Sequence, residues 1–377
     1  MKKWFIVLLI IISIIGSAIG QVTWQVTWTC PPNIDTLGFF NITYGNGQFV
    51  AVGGHTIPGG TTIYTSPDGI GWTNRSPGYS FALLNATYGN NLYVAVGDSE
   101  TILTSPDAIT WTSRSSGFGK RLYDVTYGNN LYVAVGWNGT ILTSSNGTAW
   151  TNRNLSTSDS LFCVVYNNNQ FVAAGTRGVL TSPDGITWTS RTPAPVPNFL
   201  DIMYANNQYI GVGARSTGGL ICTSPDAITW TPRTSGTSHY LFAVVHGGGQ
   251  YVAAGDSGTI LTSTDGITWT GRTTGITELL FGIAYGNNVY VAVSNLKAIA
   301  SNVANAVSYA APKLSYSVRG QTLQIYSLQG KLIAQKKIES ETYFDGKSEL
   351  YKNLSKGVYI VRIPTNNAVV SRRVMVE

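Results

Sequence analysis

Tryptophan recurs at positions 72, 111, 150, 188, 230 and 269, at intervals of 39, 39, 38, 42 and 39 residues. A period near 40 restricts the chain to repeats that each bury their apolar face only against a neighbour. In the unit that starts at 82, ALLNATY (82–88), LYVAVG (92–97), TILTS (101–105) and ITWTSR (109–114) alternate apolar and polar residues as strands do. GNN, DSE and PDA separate them as tight turns. No segment shows a 3.6-residue period, which excludes helical repeats.

Four short strands per unit predict the blade of a β-propeller. The two ends of the repeat set the expected number. A seventh unit begins at LLFGIAYGNNVYVAVS (279–294), but AIASNVANAVSY after it has neither the turn nor the Trp. QVTWTC (25–30) copies GITWTS and puts Trp28 in the slot of Trp188. The expected fold is all-β: a seven-bladed β-propeller over residues 21–310 whose last blade is closed by the N-terminal strand. Closure removes sheet edges that would otherwise recruit other chains.

TSPDGITW (181–188) has near-copies at 65–72, 104–111, 143–150, 223–230 and 262–269. Ser, Pro, Asp and Gly in that order suit the four corners of a type I turn followed by a left-handed residue. Ala108 and Ala227 replace the Gly in two units and Asn146 replaces the Asp in one. So Asp68, Asp107, Asn146, Asp184, Asp226 and Asp265 read as turn residues rather than a multiplied catalytic acid. The Arg of W-T-x-R recurs equally often and reads the same way. S-x-D-G-x-T-W resembles the Asp-box, or BNR repeat, of sialidase-like and photosystem II assembly-factor-like propellers, with one residue fewer between Asp and Gly. The resemblance implies that the boxes join third and fourth strands on the face away from an active site.

Chemistry is therefore expected on the other face, where the repeat is broken. Trp137 in GWNGT, Arg121, Arg177 and Arg215 lie outside the repeated positions, as do Asp98, Glu100, Asp124, Asp201, Asp256 and Glu278. Trp137 could stack on a sugar ring with Arg177 and Asp201 as polar partners, or simply pack on its neighbouring loop. A sialidase, as the resemblance would imply, needs three arginines, an Asp acid and a Tyr nucleophile paired with Glu. No F-R-I-P motif stands near the start, and no carboxylate pair suited to glycosidic cleavage can be nominated from spacing. No catalytic residue, metal ligand set or cofactor motif is assigned. Cys30, Cys163 and Cys222 show no metal-ligand spacing; Cys163 and Cys222 stand in apolar strands as small core residues, with one disulfide left open.

The ends give an address. Lys2 and Lys3, the apolar run from Trp4 to Ile15, and Ala18-Ile19-Gly20 have the order of a signal peptide (1–20) cleaved near Gly20, which leaves no stable membrane span. After YAAPK (309–313) the Trp period stops. Residues 311–377 hold eleven Lys or Arg against five acids, whereas 21–310 hold eleven against thirteen. The formal charge of +6 is thus a property of the ends, and the repeat region lacks the basic face a nucleic-acid binder needs. TLQIYSLQGKLIAQ (322–335), NLSKGVYIVRI (353–363) and SRRVMVE (371–377) suggest a small β-sandwich. I-Y-S-L-Q-G-K, L-S-K-G-V-Y and the terminal basic-apolar strand resemble the type A C-terminal sorting domain of type IX secretion cargo, without its Y-P-N-P opening. That resemblance implies partnership with the secretion machinery and a secreted or outer-surface location. The expected function is a binding or interaction module for glycans or surface proteins. The alternatives are a sialidase-like glycoside hydrolase or a non-catalytic assembly scaffold.

Overall fold

The computed structural model describes residues 25–29 and 38–302, apart from 56–59, 156–157, 177, 192–197 and 295–296, together with four strands between 322 and 376. The chain divides into two compact units between Val307 and Ser308. The expectations for the signal peptide, for Cys30 and for the boundary at 310 lie outside the described residues.

The larger unit is a β-propeller. Six blades are four-stranded antiparallel sheets of continuous chain: residues 39–74, 83–114, 122–152, 161–190, 198–233 and 241–272. In each, the strands lie side by side in sequence order. The remaining sheet of this unit is composite. Leu280–Gly286, Val289–Ser294 and Lys297–Asn302 are joined by Gln25–Thr29, with Gln25 opposite Ala300 and Thr29 opposite Lys297. The expectation of seven blades is corrected accordingly: six are complete and continuous, and the seventh sheet is assembled from both ends of the repeat. The reason is chemical. Residues 297–302 are followed by no Ser-x-Asp turn to fold a fourth strand back, so the outer place is open to another segment.

The first strand of every sheet is innermost, and each packs on the first strand of its neighbours. Its hairpin to the second strand turns through two consecutive left-handed residues, Asn90 and Asn91 (φ 47° and 57°) in the second blade. Such turns match the twist of the paired strands, and Asn tolerates them. The core lies between sheets rather than within them. Val50, Val52 and Ile63 of the first blade meet Leu83, Tyr93 and Trp111 of the second. Val133 and Val135 of the third likewise meet Leu161 and Phe171 of the fourth, under Trp188. Phe39, Ile42 and Tyr64 of the first blade pack on Ala284, Val291 and Val293 of the composite sheet. A Cβ added to Gly45 would strike the Tyr88 ring of the next blade, and one on Gly286 would strike Tyr44 in the same way. The last sheet thus contacts the first as any blade contacts its successor. The hydroxyl of fully buried Tyr93 donates across one such interface to the Gly45 carbonyl at 2.6 Å, satisfying a group that burial would otherwise penalise.

The repeated Ser-x-Asp segment joins the third and fourth strands. Ser182 Oγ accepts the Gly185 N–H at 2.8 Å, and Asp184 Oδ1 accepts those of Ile186 and Thr187 at 2.8 Å each. Asn146 makes the equivalent bonds through its amide oxygen, which explains the exchange. Gly185 has φ 73°, while Ala108 and Ala227 hold φ of 60° and 63° at the same place, at a cost of about 1 kcal/mol each. The indole N–H of Trp188 donates to the Gly185 carbonyl at 3.1 Å, fixing the ring over the gap to the preceding blade. Arg191 Nε donates to Thr181 Oγ1, ten residues back, and all six arginines of W-T-x-R do the same.

Cys163 and Cys222 are both buried thiols in the core between the fourth and fifth blades, and no bond joins them. Burial pushes the Cys222 thiol up to about 11. The second unit is a four-stranded antiparallel sheet in the order Leu332–Lys337, Thr322–Ser327, Gly357–Pro364, Val369–Val376. This one sheet is what the described residues show of the expected β-sandwich. Among the described residues, no helix is long and apolar enough to cross a membrane.

Candidate functional site

With the Ser-x-Asp turns on one face, antiparallel pairing puts the loops after the second and fourth strands on the other. Three of the loops after second strands share one shape. Gly97-Asp98-Ser99-Glu100-Thr101, Gly136-Trp137-Asn138-Gly139-Thr140 and Gly255-Asp256-Ser257-Gly258-Thr259 each make a single turn around a left-handed middle residue. In the second of these, the Trp137 N–H donates to the Arg121 carbonyl at 3.0 Å. Its own carbonyl accepts from the N–H and the hydroxyl of Thr140, at 3.2 and 2.6 Å. The backbone is clamped from both sides while the indole stays 50% exposed. The same clamp forms around Asp98 and Asp256. The turn therefore does not require an aromatic residue, and Trp137 is not explained by the fold.

Trp137 forms one wall of a cleft of about 520 Å³ across the second and third blades. Phe81, 47% exposed, stands in the segment entering the second blade, and Tyr123 belongs to the inner strand of the third. Arg121 reaches back to Asp98 of the preceding blade in an ion pair, and this carboxylate holds the guanidinium firmly charged. An exposed pair contributes little stability, so its effect here is to orient Arg121, whose guanidinium lies 5.8 Å from the Tyr123 ring centre. Lys120 Nζ lies 5.6 Å from the Trp137 ring centre, within reach of a cation–π contact. Glu100 faces away from ligand chemistry: it accepts from the Gly119 N–H and from Ser116 Oγ, bracing the loop that presents Lys120. Tyr123 also packs on Phe162 of the next blade, with ring centres 5.3 Å apart; on other inner strands Phe281 meets Phe40 and Phe242 with ring centres 5.7 and 5.5 Å apart.

Of the residues singled out in the sequence, the structure brings Trp137, Arg121 and Asp98 into this cleft. Arg215 is exposed at the end of a strand of the fifth blade and does not line it. Arg177 lies outside the described residues. Asp201, expected as a polar partner of Trp137, is instead a bridge inside the propeller. Its Oδ1 accepts the Ile202 N–H and its Oδ2 the Val244 N–H of the next blade, each at 2.8 Å. Asp124 makes the same bridge to Val164 at 2.6 Å. Burial raises the Asp124 carboxyl to about 6; burial, joined by the like charge of Asp124, raises Asp201 to about 8. The cause is a β-bulge between Phe199 and Asp201, which takes Asp201 out of simple alternation. Phe81, Tyr123 and Lys120 were missed as site residues. The available signal was their place at or just before the inner strand, where the repeats differ most. Among the described residues, no three of His, Cys, Asp and Glu are placed to hold a metal ion.

Residues 306–377 match a known family, the secretion system C-terminal sorting domain. The tail is a type IX sorting domain. No curated protein matches the chain. Solved structures resemble the propeller at low identity. YCF48 from Cyanidioschyzon merolae is 17% identical with a TM-score of 0.57, over 74% of this chain and 98% of that one. YCF48 bound to D1 peptide is 14% identical with a TM-score of 0.60, over 76% and 98%. PorZ, described as an essential bacterial surface component of the type IX secretion system of Porphyromonas gingivalis, is 12% identical with a TM-score of 0.54, over 90% of this chain and 59% of that one. These likenesses show a β-propeller fold, here followed by the sorting domain.

Proposed function

We propose that the protein is an exported binding module, carried out by its sorting domain to the outer surface or medium, which holds a glycan in the Trp137 cleft. In this reading residues 1–20 are a signal peptide, 21–310 a seven-bladed ring with Asp-box turns counting the composite sheet as the seventh blade, and 311–377 a type A sorting β-sandwich. The observation that carries it is the half-exposed indole on a backbone clamped by hydrogen bonds, in a loop shape that accepts Asp equally well. A rigid aromatic plane loses little entropy on binding, and sugar rings offer an apolar face to it. Phe81 and the charges of Lys120 and Arg121 surround that plane as partners for the rest of the ligand. A glycosidase would use two carboxylates about 5–10 Å apart. Asp98 is the acid lining this cleft, and it is occupied by Arg121, so the geometry favours binding.

The test is a glycan array and titration calorimetry with wild type and Trp137→Ala. The expected result is a defined glycan signal that falls at least about tenfold on truncation, as loss of a central aromatic anchor does. An unchanged signal in the variant would sink the reading, as would a wild type that binds surface proteins but no glycan.

A further inference from the structure

A second cleft opens on the same face, between the fifth and sixth blades, with a volume of about 400 Å³. Its lining is Ser216, Thr217, Gly218, Ser238, Tyr240 and Asp256. Tyr240 occupies the position before the inner strand that Arg121 holds in the third blade, and its carbonyl accepts the Asp256 N–H at 2.9 Å. Asp256 sits in the clamped turn where the third blade carries Trp137. The two clefts are thus built on one loop frame: here the exposed ring comes from the segment before the inner strand, and the carboxylate comes from the clamped turn of the same blade. Tyr240 is 46% exposed. Ser257 Oγ donates to Asp256 Oδ1 at 3.1 Å, while His239 Nδ1 stands 3.9 Å from Oδ2.

We infer that this cleft is a separate binding site for a neutral sugar. Three side-chain hydroxyls and one carboxylate surround a single exposed phenol ring, and each feature narrows the ligand class. A phosphate or an acidic sugar would meet Asp256. A divalent cation such as calcium asks for six to eight oxygens, usually including several carboxylates, and the cleft offers one carboxylate. An aliphatic peptide side chain would find no aliphatic side chain in the lining. A neutral sugar answers every group: its C–H face covers the Tyr240 ring, its adjacent hydroxyls donate to Asp256, and Ser216, Thr217 and Ser238 both give and take hydrogen bonds. The inference concerns a different cleft from the one proposed above and stands independently of it.

The experiment uses the full chain with maltohexaose, cellohexaose and laminarihexaose as separate probes, in saturation-transfer NMR and calorimetry. Wild type is expected to bind at least one of them, and Trp137→Ala is expected to retain a binding event. Tyr240→Ala should weaken that event at least tenfold and Asp256→Asn at least threefold, with Tyr240→Phe within threefold of wild type. Trp137 and Tyr240 are exposed and Asp256 is half-buried, and far-UV spectra and melting curves verify folding of each variant. Loss of all binding in Trp137→Ala, or full binding in Tyr240→Ala, overturns the second site. No binding to any of the three neutral probes overturns the inference altogether.

Discussion

Asp184 takes two backbone N–H groups in an exposed turn, whereas Asp201 takes two on an innermost strand, one of them from the next blade. The first is mostly in water, and the N–H groups of Thr187 and then Ile186 hold its carboxyl below the usual range. Replacing it by Ala leaves those N–H groups to water and removes the fold of the turn, at a cost of about 1–2 kcal/mol. Asp184→Asn should cost less than about 0.5 kcal/mol, because Asn146 already makes the same bonds. Urea midpoints of the two variants at neutral pH check this, and equal losses would mean that the charge, not the acceptor, matters. Asp265, held at about 2 by the N–H groups of Thr268 and Ile267, follows the same logic. A depressed carboxyl stabilises the fold above its unfolded value near 4 and loses that contribution as pH falls toward 2. In this repeat the exposed polar residue is structural, and the residue with no structural reason is the tryptophan. Trp137 was legible in the sequence because it interrupts a pattern. Its companions were not, since Phe81 and Tyr123 look like ordinary strand-edge and strand residues until the ring sets them side by side.

The inner strand carries the opposite electrostatic sign. Asp124 and Asp201 each tie their own strand to the next blade, and burial favours their protonated forms, with carboxyls raised to about 6 and about 8. A carboxyl raised above its unfolded value contributes stability that is complete below about pH 4 and is lost as pH rises through the folded value. The propeller should therefore lose stability between about pH 5 and 8, and Asp201→Asn should flatten that slope even if it lowers the plateau. Denaturant unfolding across that range decides it; an unchanged slope would assign the effect elsewhere. The strands themselves were readable from alternation and turn residues. The role of Asp201 was hidden because period two puts a polar residue after Leu200 on an outward face, and the bulge reverses that. The clue was present in Phe-Leu-Asp-Ile and Leu-Tyr-Asp-Val, where two adjacent apolar residues precede the acid.

For the molecule as a whole, the Trp period was enough to reveal sheets packed face to face, because each Trp belongs to a core shared by two blades. It was not enough to make the last sheet like the others. Deleting residues 25–29 would uncover the edge of Lys297–Asn302 and remove a strand from the composite sheet. The expected outcome is a loss of about 2–5 kcal/mol, from a few backbone hydrogen bonds, together with concentration-dependent association through the open edge. Thermal unfolding and size-exclusion chromatography measure both, and a monomer with an unchanged melting point would mean that the strand is dispensable.

Pairing Gln25 with Ala300 also fixes the order of events as the chain folds. Every complete blade forms from neighbours in sequence, so loop closure costs it little. The composite sheet must wait until residues nearly the whole propeller apart find one another. Such a contact is slow to form and early to be missed. The repeat that makes six blades easy therefore leaves one rate-limiting seam, and a chain arrested before sealing it would hold nearly all its secondary structure with an unsealed ring.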